Sequence, residues 1–325
     1  MSGDTAAQLW CREQLLRMHP QWRLQEQLLS PTLCHDLLLL HGIFTAMLQI
    51  PLAASVSEVA EPKLAWWMDA LQQLLHSSAQ SSVEPAPDAA IPASLQHPAL
   101  RELPGSPLLS FLHTVPLTDW LQDLQQAIEP QPLPGSAELI HCYWQLARPQ
   151  GWLDVWLFDA TNWQQVTAAA NASETDQRAA HWVHTRRLLL QQINLLPQRN
   201  WLYHNMPLSL RARHQLQLDT APPAPPLALA SEQSQQHGWR CPGALLADLL
   251  ALDAELEADI SANMSTMSPP LQAQCRFWQA GNRALAKSLR KRVNNGHAEP
   301  VSGIGPGLLW SSWRSARTVR ARAIA

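Results

Sequence analysis

The chain has 325 residues, enough for one large or two ordinary domains and a sizeable core. A net charge of −3 argues against general nucleic-acid binding, and five scattered cysteines without a CxxC pair argue against a zinc framework or a disulfide scaffold and fit a reducing compartment. No basic-then-apolar leader opens the sequence, and no run of about eighteen apolar residues occurs, so neither a secretory signal nor a membrane span is expected.

The fifteen tryptophans, against four Phe and two Tyr, read as indoles filling core positions. Three Lys against twenty Arg reads as GC-rich coding bias. Charge is distributed unevenly: residues 276–325 carry ten Arg and Lys and one acid, Glu299, a balance of +9 that leaves −12 on the rest.

In chain order, residues 6–29 read as one helix, broken at Ser30-Pro31, and 32–49 as a strongly apolar helix stopped by Pro51. Ser55 with Glu58 makes a capping-box pattern before KLAWWMDALQQLL (63–75). There Leu64, Trp67, Leu71, Leu74 and Leu75 recur at helical spacing. Trp66 and Trp67 lie about 100° apart around the axis, so they cannot fill the same gap. This helix is expected at the centre of a bundle. Residues 77–93 form a Ser/Ala/Pro linker, 94–113 one or two short helices broken at Pro104 and Pro107, and Thr118 is the expected cap of 119–129.

Ser136 is expected to cap a helix reaching about Ala147. A further helical stretch follows Pro149-Gly151 over 152–172, and Ser173 with Asp176 caps the next, 174–196. A short helix from Pro207, a Pro-rich loop at 219–226, an amphipathic helix at 241–260 and a last one from Ser268-Pro269-Pro270 to near Val293 complete the domain. No period-2 strand run and no internal repeat appears. The expectation is an all-α bundle of about ten helices over 1–293, with a basic, disordered tail over 294–325.

Three stretches carry a resemblance: LLLLHGIFTAML (37–48), VSEVAEPKLAWWMDAL (56–71) and LLLQQINLLPQRNWLYHNMPLSL (188–210). Together they resemble the squalene/phytoene synthase family, most closely its divergent branch that includes a mitochondrial complex I assembly factor and bacterial relatives. The resemblance implies an isoprenoid-synthase-type helical bundle. It also implies, for active members, head-to-head condensation of two prenyl diphosphates on Mg²⁺ held by two acidic patches on facing helices. Magnesium requires hard oxygen ligands, and acids three or four apart share one helix face.

This sequence departs at both patches. No Asp or Glu occurs from 37 to 57, where the family's first acids would fall near Gln49 and Ile50, and none occurs from 177 to 218. Met68 stands where the middle motif usually has Arg. Without those carboxylates the charge neutralisation for metal and diphosphate is gone. Remote acids, Asp154 with Asp159 or Asp248 with Asp253 and Glu257, are the alternative metal sources.

The six arginines of 177–218 form an acid-free field suited to a diphosphate or lipid head group, with Arg186, Arg187, Arg199 and Tyr203 as the candidate anion-binding set. The competing reading pairs this field with the acidic segment 248–259. His181 and His184 have metal-pair spacing, but no third ligand is evident in sequence. Neither a GxSxG elbow nor a GxGxxG loop is present. Leu308, Leu309, Trp310 and Trp313 precede four arginines, a pattern suited to peripheral contact with an anionic membrane through 308–322.

The expectation is therefore a catalytically silent, cytoplasmic squalene/phytoene-synthase-like protein, peripheral at most to the inner membrane. It would bind an isoprenoid, a lipid or a partner protein, with Leu40, Phe44, Trp67 and Leu189 lining the cavity, no metal and no cofactor. The alternatives are an active Mg²⁺-dependent prenyltransferase and a structural helical scaffold.

Overall fold

The computed structural model describes residues 5–27, 29–53, 57–80, 97–104, 106–129, 131–159, 163, 174–196, 200–216 and 242–295. These hold thirteen α-helices, nine of them seven residues or longer, and no strand. In order they are α1 (Ala6–Met18), α2 (Trp22–Glu26), α3 (Pro31–Ala53), α4 (Ser57–Gln80), α5 (Pro98–Arg101), α6 (Pro107–Thr114) and α7 (Leu117–Gln126). There follow α8 (Ser136–Phe158), α9 (Glu174–Leu195), α10 (Trp201–His204), α11 (Leu208–Arg213), α12 (Gly243–Asn263), a 3₁₀ turn (Met264–Thr266) and α13 (Pro269–Asn295). The all-α reading of the sequence holds. The Ser55 cap, most of the 77–93 linker, the Pro-rich loop and the basic tail with 308–322 lie outside the described residues.

Several boundaries are set by chemistry visible in the sequence. Thr5 opens α1 with a full capping box: its hydroxyl accepts from the Gln8 amide at 3.2 Å while the Gln8 side chain accepts from the Thr5 amide at 2.9 Å. Ser106 accepts from the Leu108 amide and Pro107 takes the first helical position of α6. The expected Thr118 cap lies inside α7, which starts at Leu117 after Pro116.

Three expected breaks move, the first at Pro51, which α3 passes to end at Ala53. The 6–29 segment is two helices, because Pro20 interrupts it and the chain turns between Met18 and Trp22. The expected gap at Pro149-Gly151 does not exist, since α8 runs unbroken from Ser136 to Phe158. Pro149 cannot donate to the carbonyl of Gln145, but Arg148 Nε lies 3.4 Å from that oxygen and supplies a donor. Gly151 is required by packing: a Cβ there would lie 2.9 Å from His181 Cα, so α8 and α9 approach backbone to backbone.

The tryptophan helix is also not the centre. α4 packs at one side on α3, α6 and α7, whereas α9 is surrounded by α8, α12 and α13. The inward stripe of α4 runs Ala60, Leu64, Trp67, Leu71 and Leu74, all buried. Trp67 is tucked in and Trp66 is 38% exposed, as their angular separation requires. Trp67 meets Trp10 at 6.0 Å and His97 at 5.0 Å between ring centroids. Helix α3 is long and apolar enough over Pro31–Leu52 to cross a membrane, yet most of that window is buried against other helices, as in a core helix.

Candidate functional site

The interior of an all-helical bundle is apolar, so an ionised carboxylate there must be fully solvated by protein donors. Asp154, in the last turns of α8, is completely buried and meets four. His184 Nε2 of α9 stands 2.7 Å from Oδ2 and His41 Nε2 of α3 stands 3.4 Å from Oδ1. From α13, Trp278 Nε1 donates to Oδ2 at 3.0 Å and Gln274 Nε2 donates to Oδ1 at 3.2 Å. Gln274 is itself held by Gln25 of α2 at 2.7 Å. One carboxylate thus ties four helices together and, through Gln274, a fifth. An ionised carboxylate only accepts, so both imidazoles present Nε2–H to it and leave Nδ1 facing the core. Neither Nδ1 has a hydrogen-bond partner among the described residues.

Aromatic rings enclose the group. Trp22 stacks on Trp278 at 6.4 Å, and His19, His41 and His184 sit 5.1–5.6 Å from the Trp278 ring. Burial alone would push the Asp154 carboxyl up, but the charge and hydrogen bond of His184, and then those of His41, hold it below the usual carboxylate range. For His41 burial dominates and lowers its pKa, against the pull of Asp154.

No protein-family model matches this chain, and no curated protein matches it. Its functional reading rests on the residues themselves.

The predicted site residues fall in several places. Arg186 is fully buried and faces α12: its guanidinium grips Asp253 through two bonds, at 2.6 and 3.2 Å, reaches Glu257 at 2.8 Å and donates to Gln279 at 2.6 Å. An anion would have to displace two carboxylates to reach it, and the pairing of the Arg field with 248–259 describes this residue. Arg187 instead donates to the Met18 carbonyl at the C-terminus of α1, where the helix dipole favours a cation. Tyr203 is buried beside His204. Arg199 lies outside the described residues. Leu40, Phe44, Trp67 and Leu189 are all buried. Phe44 packs on Trp120 at 5.4 Å, while the ring neighbours of Trp67 are Trp10, Trp66 and His97.

A cleft of about 480 Å³ lies elsewhere, between α7, α8 and α10, lined by Asp123, Glu129, Glu138, His141, Trp201 and Asn205 among others. None of the four expected lining residues borders it.

Of the remote acids, Asp253 and Glu257 do share a face, and that face holds Arg186. Asp248 pairs with Arg213 at 2.8 Å and His214 at 2.9 Å. His181 and His184 part company: His184 joins the Asp154 cluster, while His181 packs between Trp144 and Trp152 against Gly151. The partners of His184 come from α3 and α8, far away in sequence.

Two neutral histidines make the fold sensitive to acid. Burial, followed by the charges of His184 and Arg148 and opposed by Asp154, pushes His181 down to about 3. Burial, followed by Arg187, His184 and His41, pushes His19 well below its ordinary value. Below about pH 6.5 the unfolded chain takes up protons that the folded chain refuses. The stability contributed by these groups is therefore complete above that pH and falls as the pH drops toward the folded pKa. Each imidazole contributes a slope of up to about 1.4 kcal/mol per pH unit, so denaturant unfolding should show a loss of roughly 2 kcal/mol from His181 between pH 7.5 and pH 5, with His19 adding to it. His19→Gln with His181→Gln should flatten that slope.

Proposed function

We propose that this chain is a squalene/phytoene-synthase-like protein that has lost diphosphate chemistry and acts by binding, to an isoprenoid or other apolar lipid or to a partner protein. The observation that carries this reading is the charge where α3 and α9 come together. Ionising a prenyl diphosphate requires several carboxylates facing one another around magnesium ions. At that place a single acid, Asp154, is held by His41, His184, Trp278 and Gln274. Two other acids are buried among the described residues: Asp253, committed to Arg186, and Asp159, just past the end of α8. An active prenyltransferase would have to break these pairs before it could hold Mg²⁺, and breaking a buried pair costs about 3–5 kcal/mol.

The test is incubation of the full chain with labelled farnesyl and geranylgeranyl diphosphates and Mg²⁺. The expected result is recovery of both substrates unchanged. Formation of a condensed hydrocarbon would overturn the proposal and restore the prenyltransferase reading.

A further inference from the structure

We propose that His41, Asp154 and His184 form a binding site for one divalent transition-metal ion of the zinc class. The three residues come from α3, α8 and α9, and one ligand atom of each lies within 4.8 Å of the others. Two ligands on a tetrahedral ion with bonds of about 2.0–2.1 Å stand roughly 3.3 Å apart. His41 Nε2 stands 3.4 Å from Oδ1 of Asp154, which matches that spacing, and His184 Nε2 stands 2.7 Å from Oδ2, which has to open; the carboxylate reaches an ion between the two imidazoles through one oxygen or chelates it through both.

The donor set selects the class of ion. Two imidazole nitrogens and one carboxylate oxygen suit zinc, cobalt and ferrous iron, whereas magnesium and calcium ask for oxygen alone. The Asp154 ligand is supported as metal sites require. Trp278 and Gln274 fix the Asp154 carboxylate, and Gln25 fixes Gln274. All three ligand side chains are at most 1% exposed, so surface ions play no part in the site.

A second observation points the same way. The shell around the cluster carries buried polar atoms without partners among the described residues: Nδ1 of His41, His184 and His19, Nε1 of Trp22 and Oε1 of Gln25. A buried unsatisfied group is costly, and a well-packed core rarely tolerates several together. A metal ion bound by both Nε2 atoms brings positive charge and a water in its fourth position into this shell, while Nδ1 of His41 and His184, on the far side of each ring from Nε2, carries the proton. The site stands on these residues whatever the ancestry of the chain, so it survives or fails independently of the prenyl diphosphate test.

The test uses the full, untagged chain stripped with a chelator and titrated with CoCl₂. The expected result is a visible d–d band that saturates at one equivalent, is displaced by ZnCl₂ and is accompanied by a rise in Tm. Asp154→Asn and His184→Gln should abolish the band, while His76→Ala, at an exposed histidine, should leave it unchanged. X-ray absorption at the zinc edge of the wild-type protein removes any dependence on whether the variants fold: it should report two imidazoles and oxygen ligands. Absence of the cobalt band, or a zinc shell containing sulfur or other than two imidazoles, overturns the proposal.

Discussion

Asp154→Ala is expected to cost about 3–5 kcal/mol of folding stability, the range for removing one partner of a buried charged network. The alanine strips the acceptor from four buried donors at once: His41, His184, Trp278 and Gln274. It also leaves a void in the last turns of α8, where the neighbours cannot collapse without moving α13. Chemical denaturation, with far-UV circular dichroism confirming native helicity in the absence of denaturant, measures the loss. A change below about 1 kcal/mol, the net worth of an ordinary neutral hydrogen bond, would mean that the carboxylate does not organise the core. Asp154→Asn should cost less, because the amide oxygen still accepts from two donors while its NH₂ faces the others.

Arg186→Met should be comparably damaging for the opposite reason. Asp253 is completely buried and Arg186 is its closest cation, with Arg290 reaching only 3.4 Å from a half-exposed position. Removing the guanidinium leaves a carboxylate without its main counter-charge, again at about 3–5 kcal/mol. The double variant Arg186→Met with Asp253→Leu should recover most of the loss, since neither charge then remains to be desolvated. Glu257 needs no third change, being partly exposed and paired with Arg283. If the double variant is as unstable as the single one, the interaction is not the pairwise one described, and shape at the α9–α12 contact dominates instead.

These two residues also show how far the sequence can be read. The Arg186–Asp253 pairing was half legible: an arginine-rich, acid-free segment and an acid-rich helix in one chain call for each other. What periodicity could not supply was which arginine turns inward, because α9 is covered by α8, α12 and α13 and has no solvent face to set a phase. Helices α12 and α13 were legible from apolar spacing, and the start of α13 and of α3 from their prolines, but the end of α3 was not, because the helix runs through Pro51 to Ala53. Helix α8 was not, because Pro149 and Gly151 carry a helix-stop signal that Arg148 and the close approach of His181 override. The apparent centrality of Trp66 and Trp67 failed for a related reason: bulk marks burial, not depth, and one of the two indoles faces outward at the side of the bundle.

The His41–Asp154–His184 cluster was the least legible feature. Its members are single residues on three helices, 113 and 30 positions apart. Beside the His181–His184 spacing and the place of Asp154 among the remote acids, one further signal was chemical: His41 interrupts the leucines of 37–40 and the apolar run after it, and Asp154 sits between Leu153 and Val155. A titratable side chain at an inward helical position needs a partner, and two such positions are candidates for each other. Read together with the absence of acids over 37–57 and 177–218, they describe a polar centre of one carboxylate between imidazoles, which is what the proposed lack of diphosphate chemistry requires.

Pyrophosphate release tests that description most directly, because it detects ionisation of a prenyl diphosphate even when no condensation follows. With farnesyl or geranylgeranyl diphosphate and Mg²⁺, the full chain should release no more pyrophosphate than buffer alone. Sustained release that depends on Mg²⁺ and on intact protein would contradict the loss of diphosphate chemistry on which the account rests.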